Sequence, residues 1–341
     1  MINQVYRLVY PGQFEVTYKV RDLKSDKVIV RPTYLSVCNA DQRYYQGKRD
    51  AKVLEKKLPM SLIHEGIGEV VHDPKGEFKV GQAVVMIPNV PVEEVDHIDE
   101  NYIRSSRFRS SGFDGFMQDY VFMRHDRLVP LFDELNNQTA SILELVTVAM
   151  HGISRFNIKS HSHKETIGIW GDGNLGYITS LILKKLFPEA KIILFGKTKQ
   201  KIDYFTFIDH AYLIHDIPRN LEIDHAFECV GGQGSEMAIE QIIDHIKPMG
   251  SISLLGVSED PIEVNTRMVL EKGLTLFGSS RSGREDFVNT VKFLEKHKSV
   301  IDYLNHLITK VVEVNKIEDI RLAFEEDQIS PWGKTVMEWK I

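Results

Sequence analysis

Three short stretches of this 341-residue chain carry side chains able to bind a metal. Cys38 opens Cys38-Asn39-Ala40-Asp41, His64 and Glu65 stand in Ile63-His64-Glu65-Gly66-Ile67-Gly68, and Glu144 follows in Leu143-Glu144-Leu145-Val146. A thiolate, an imidazole and a carboxylate suit a catalytic zinc, which leaves one position open for water or substrate. The spacing alone leaves a second reading open, with Cys38 a small buried hydrophobe and His64 a hydrogen-bonded core histidine.

A second kind of chemistry is written in Gly171-Asp172-Gly173-Asn174-Leu175-Gly176. It follows an apolar strand at residues 166–170 and opens an apolar helix at residues 177–186, the context a dinucleotide-binding turn requires. Gly171 permits the tight turn, Gly173 lets a pyrophosphate approach the backbone past Asn174 and Leu175, and Gly176 lets the helix pack on the strand. The next strand of an NAD-binding unit ends in an acid for the ribose 2′-OH. Here Gly196 stands at that place, followed by Lys197-Thr198-Lys199. Two cations and a hydroxyl without the acid favour NADP, the plainer reading being a solvated helix start.

The elements around these motifs fall into two regimes. Up to residue 150 short β-rich runs, such as residues 27–32 and 82–87, alternate with Gly and Pro punctuation. From about residue 165 apolar strands at residues 166–170, 191–195, 224–229, 251–255 and 274–277 alternate with amphipathic helices, which predicts a doubly wound parallel sheet. After residue 284 come a helix, a run at residues 307–314, a helix capped by Asn315 and opening with Glu318 and Asp319, and a last strand at residues 334–339. This tail leaves the β/α alternation and is expected to rejoin the first domain. The division is therefore residues 1–150 and 285–341 for a β-rich catalytic domain, and 151–284 for a Rossmann domain.

Composition is that of a folded globular protein, 43% hydrophobic and 26% charged. A net charge of −6 supplies no basic field for nucleic acid, so an anionic substrate needs a local basic pocket. No apolar run reaches the length of a membrane span, and the first residues lack a basic region followed by an apolar one, so a cytoplasmic address is expected. The two cysteines, Cys38 and Cys229, are not expected to pair, and Cys229 reads as a buried hydrophobe. The histidine pair at His161 and His163 lies in a polar linker and is set aside as a metal site.

The Cys-x-x-Asp, the His-Glu-x-x-Gly and the Glu ahead of the nucleotide domain, taken in order, resemble the medium-chain zinc dehydrogenases. So do residues 78–84, Asp114-Gly115-Phe116-Met117-Gln118-Asp119-Tyr120, the glycine-rich turn, Phe227-Glu228-Cys229-Val230-Gly231 and Gly278-Ser279-Ser280-Arg281. The resemblance covers nearly the whole chain and implies an α/β protein with a GroES-like domain and a Rossmann domain. It implies one catalytic zinc on Cys38, His64 and Glu144, as in the sorbitol dehydrogenase branch, with Glu65 entering or leaving coordination. Asp41 would orient His64, or else cap a turn.

Two departures from the family pattern matter. Residues 88–112 carry no cysteine, so the family's second, structural zinc is not expected; Arg104, Arg107 and Arg109 stand there instead, suited to phosphate oxygens or to a solvated face. Ala40 lacks the hydroxyl with which relatives begin a proton relay, and Arg43 replaces a relay histidine, becoming a candidate phosphate contact or a surface ion pair. The resemblance further implies NADPH-dependent reduction of D-ribulose 5-phosphate to D-ribitol 5-phosphate, supplying CDP-ribitol for wall teichoic acid or capsule. A homo-oligomer is expected, with a cytidylyltransferase as the next enzyme and possible associate. The alternatives are a sorbitol or polyol dehydrogenase and a non-catalytic binding protein on the same fold.

Overall fold

A computed structural model describes residues 1–135 and 137–341. The chain forms two compact units, Met1–Leu145 with Ser282–Ile341, and Val146–Arg281. Among the described residues no helix is long and apolar enough to cross a membrane.

In the first unit the β-rich runs build a seven-stranded sheet. Its order is Ile308–Val314, Lys334–Trp339, Val28–Ser36, Glu65–His72, Ala83–Met86 and Leu128–Pro130, with Val121–Met123 also pairing Val28–Ser36. Register does the positioning, because Ser36 lies opposite Glu65 on one neighbouring strand and Val336 on the other. Cys38 lies just beyond Ser36, His64 just before Glu65 and Lys334 just before Val336, so the three converge at one end of adjoining strands. Leu35, Leu62, Met86, Phe116, Phe324 and Met337 belong to one buried apolar cluster beneath them. Each such side chain contributes about 1.5–3 kcal/mol on burial.

The second unit is a six-stranded sheet in which every pairing is parallel, ordered His210–Leu213, Lys191–Gly196, Thr166–Trp170, Ile223–Glu228, Ile246–Leu254 and Thr275–Gly278. Numbered along the chain this is the 3-2-1-4-5-6 order of a Rossmann fold, whose switch point lies between Thr166–Trp170 and Ile223–Glu228. Helices Asn174–Leu186 and Gly234–His245 pack on it. Trp170 stacks on Phe195 with ring centroids 3.7 Å apart, within a cluster that includes Ile193, Ile223 and Ile252.

Two sequence expectations need correction. His210–Leu213 is a sixth strand, half exposed at the sheet edge and only four residues long, too short for its apolar Ala211, Tyr212 and Leu213 to mark it. Asn315 is not the helix cap. Helix Ile317–Ile329 is capped at Lys316, and the Asp319 carboxylate reaches back to accept the amides of Asn315 and Lys316. The acid at the third helical position takes the role expected of Asn315, bonding back to the amides before the helix.

Candidate active site

At the convergent strand ends, Cys38 Sγ, a His64 ring nitrogen and a Glu65 carboxylate oxygen all lie within 4.8 Å of one another. Cys38 occupies the cap position of helix Asn39–Tyr45, which turns the chain back after strand Val28–Ser36. Glu144 opens helix Leu143–Lys159 and is buried near enough to feel the charges of His64 and Glu65, but it is not one of the three groups whose ligand atoms lie within 4.8 Å of one another. Its carboxyl is raised to about 7, first by burial and then by Glu65 and Asp41, against the lowering pull of His64 and Lys334. Burial also pushes the Cys38 thiol up, reinforced by Glu65 and opposed by His64 and Lys334. Burying several acidic groups together is unfavourable unless positive charge lies among them.

Part of that charge comes from Lys334, which the sequence reading did not single out. Its ammonium donates to Glu65 Oε1 at 2.9 Å, and both side chains are almost fully buried. Burial pulls the Lys334 pKa down, yet Glu65 and Cys38 outweigh it and hold the ammonium charged. Glu65 Oε2 is buried with no hydrogen-bond partner. An orphaned carboxylate oxygen next to a thiol and an imidazole is the donor set a zinc ion fits, with the ion completing the neutralisation that Lys334 begins. No local signal near residue 334 announces this role.

Asp41 lies in helix Asn39–Tyr45 with no exposed surface. Its Oδ1 accepts the Ile63 amide at 3.1 Å and the Ser110 hydroxyl at 2.5 Å, while Oδ2 stands 3.4 Å from His64 Nδ1. Directing Nδ1 at a carboxylate leaves Nε2 for a metal, the arrangement that orients a ligating histidine. Burial works against the Asp41 carboxylate, but His64, Ser110 and the Ile63 amide together keep its pKa below the usual value. Ser110 was missed, although it lies in the Arg/Ser segment. Phe108 of that segment sets its ring edge-on to His64 at 5.3 Å.

The four arginines separate. Arg43 is partly buried in helix Asn39–Tyr45, whereas Arg104 and Arg107 are exposed. The reading of Arg109 as a phosphate contact is corrected. Its guanidinium donates to the carbonyls of Asp114 and Phe122 at 3.2 and 3.0 Å and lies over the rings of Phe113 and Phe116. Its two terminal nitrogens are thus committed inward, and burial lowers its pKa to about 10.

In the second unit the glycine-rich turn connects strand Thr166–Trp170 to helix Asn174–Leu186. Gly171 has φ +126°, and a Cβ on Gly176 would lie 1.9 Å from the Gly171 carbonyl oxygen, so neither tolerates a side chain. Nothing lies within 4 Å of a Cβ built on Gly173, which leaves the backbone open to a ligand. Asn174 and Leu175 form the first helical positions after it. Across the switch point, Glu228 accepts the amides of Val230 and Gly231 and the Ser235 hydroxyl on Oε1, and the Gly256 amide on Oε2. Lys197 is exposed, Thr198 half-buried, and Lys199 pairs with Asp203 in the following turn.

Residues 24–133 match the alcohol dehydrogenase GroES-like domain, and residues 141–338 match the glucose dehydrogenase C-terminus. The chain belongs to the medium-chain alcohol dehydrogenase family. It is 61% identical to the ribulose-5-phosphate reductase of Bacillus spizizenii, with all of both chains covered. Ribulose-5-phosphate reductase 1 of Staphylococcus aureus is 59% identical, with 99% of each chain covered. The crystal structure of S. aureus TarJ in complex with NADPH superposes over all of both chains with a TM-score of 0.91 at 55% identity. The first matched range includes Cys38, His64 and Glu65, and the second includes Glu144 and the glycine-rich turn.

Proposed function

We propose that this chain reduces D-ribulose 5-phosphate to D-ribitol 5-phosphate with NADPH, using one zinc held by Cys38, His64 and Glu144 with Glu65 in reach. The observation that carries this reading is full-length identity of about three residues in five to reductases of that name. The NADPH in the similar S. aureus structure supports the cofactor. When bound, zinc supplies a Lewis acid for the carbonyl oxygen and NADPH supplies the hydride.

The residues then have separate duties. Asp41 and Ser110 hold the orientation of His64. Lys334 offsets the charge of Glu65, leaving Oε2 as the adaptable donor. Gly171, Gly173, Asn174, Leu175 and Gly176 receive the pyrophosphate, and Lys197, Thr198 and Lys199 face the 2′-phosphate. Because Ala40 has no hydroxyl, the final proton is assigned to Glu65 through water, its Oε2 being free of Lys334, or to a water chain. Arg43, Arg104 and Arg107 are assigned to the substrate phosphate. The product would pass to a cytidylyltransferase forming CDP-ribitol in the cytoplasm, with the reductase working as a homo-oligomer.

A steady-state panel of keto-sugar phosphates and free keto-sugars, each with NADPH and NADH, tests substrate and cofactor together. Ribulose 5-phosphate with NADPH should give the highest kcat/KM; a free sugar turned over equally well would end the phosphate assignment. Cys38→Ser and His64→Ala should lose zinc and turnover yet stay folded, since an open catalytic site is not what holds the sheet together. Full activity in either would end the zinc assignment.

A further inference from the structure

We propose that Asp172, inside the glycine-rich turn, is the positioning residue that sets selectivity for a 2′-phosphorylated dinucleotide. The proposal rests on the reading of NADPH as cofactor and adds how the protein builds that preference. Asp172 Oδ2 accepts two backbone amides, Lys197 at 2.8 Å and Thr198 at 2.7 Å. These are the residues that follow strand Lys191–Gly196, where a Rossmann unit reads the adenosine ribose. A carboxylate accepting two amides makes charge-assisted bonds, which fix the peptide planes they share. Thr198 makes no side-chain cap of its own, so nothing local replaces the bond if Asp172 is removed.

The same side chain explains Gly196. A Cβ there would lie 2.9 Å from Asp172 Cβ and 2.7 Å from Ile202 Cγ1. The position at which an NAD-binding protein carries its ribose acid is therefore closed by Asp172 and Ile202. An acid does stand at this turn, but it comes from the first strand's loop and its Oδ2 faces backbone amides. Its charge is absorbed by the peptide, and the exposed Lys197 is left as the cation beside the ribose position. Gly196→Asp, which on sequence grounds would convert the preference to NADH, would instead collide with Asp172 and disturb the turn.

The test measures calorimetric binding of 2′,5′-ADP and 5′-AMP to the full chain as wild type, Asp172→Asn and Asp172→Ala, with KM values for NADPH and NADH alongside. Asp172→Ala should cut the preference for 2′,5′-ADP over 5′-AMP by about tenfold, the loss expected from releasing a charge-assisted contact. Asp172→Asn keeps an oxygen that accepts both amides and should retain most of the preference. The proposal is overturned if Asp172→Ala keeps the wild-type ratio, if both ligands weaken equally, or if Asn behaves as Ala. Should Asp172→Ala fail to fold, Asp172→Ser, whose hydroxyl is too short to span both amides, is measured in its place. A wild type that binds both ligands alike would remove the NADPH reading together with this one; a selective wild type with an unchanged variant removes this one alone.

Discussion

Glu65 answers to two demands, with Oε1 on a buried ammonium and Oε2 turned to no protein donor. Removing one partner of a buried ion pair leaves the other charge unsolvated, at a cost of about 3–5 kcal/mol. Lys334→Met should therefore lower the unfolding free energy by about that amount in urea titrations of the metal-free protein. A loss below about 1 kcal/mol would mean that Glu65 takes up a proton or water instead. The arginines give a paired comparison. Arg109→Ala should cost about 1–3 kcal/mol of stability, because two carbonyls lose a buried donor, with little change in the KM for phosphate-bearing substrate. Arg107→Ala should leave stability nearly unchanged and raise that KM about tenfold. The reverse pattern in denaturation and kinetics would return Arg109 to the substrate. Residue chemistry alone could not separate the four arginines, because a guanidinium's partners are invisible until the chain is folded.

The loop before strand Glu65–His72 delivers His64, and its conformation is forced by neighbours. Ile63 has φ +69°, a left-handed backbone that a β-branched residue rarely adopts. It is held by its amide, which donates a hydrogen bond to Asp41 Oδ1, and by the Phe116 amide donating to its carbonyl at 2.8 Å. Gly115 lets the two segments come this close, for a Cβ there would sit 2.2 Å from the Leu62 oxygen and 2.3 Å from that of Ile63. Gly115→Ala should push the loop away, costing about 1–3 kcal/mol by overpacking and weakening zinc uptake. Metal content and melting temperature measured together check this; a variant with normal zinc would show that His64 is placed from another side. The segment at residues 88–112 is tied down by ion pairs and backbone hydrogen bonds. Arg127 binds the Glu100 carboxylate at 2.7 and 3.1 Å, and Glu100 also accepts the Arg284 amide at the start of helix Arg284–Lys296. Arg124 donates to the Pro91 carbonyl and Ser106 to that of Glu100. These ion pairs join residues too far apart for local pattern to connect.

At the scale of the whole molecule, one buried histidine makes stability depend on pH. His225, wholly buried on strand Ile223–Glu228, accepts the Ser251 amide on Nδ1 and bonds the His163 carbonyl through Nε2, which requires the neutral ring. Burial, helped by His161 and Lys164, lowers its pKa from 6.5 to about 4. The folded state thus binds a proton less readily than the unfolded chain. Its contribution is complete above pH 6.5 and is lost as pH falls toward 4, by about 3 kcal/mol. Unfolding free energies at a series of pH values should fall more steeply between those limits for wild type than for His225→Gln, and parallel slopes would remove His225 from the account.

What the sequence by itself determined was whatever depends on local order. The alternation of apolar strands and helices marked the parallel sheet, the three glycines marked the phosphate turn, and Cys38, His64 and Glu144 stood out as candidate ligands by type. Tertiary structure alone decided which groups meet across long separations. Lys334 reaches Glu65 from 269 residues away through two strand registers, and Asp172 reaches past Gly196 to the next strand's loop. Ser110 joins Asp41, and Arg109 turns inward, for the same reason. Strand register and burial set these partners, and both follow from packing the whole core, which no window of neighbouring residues contains.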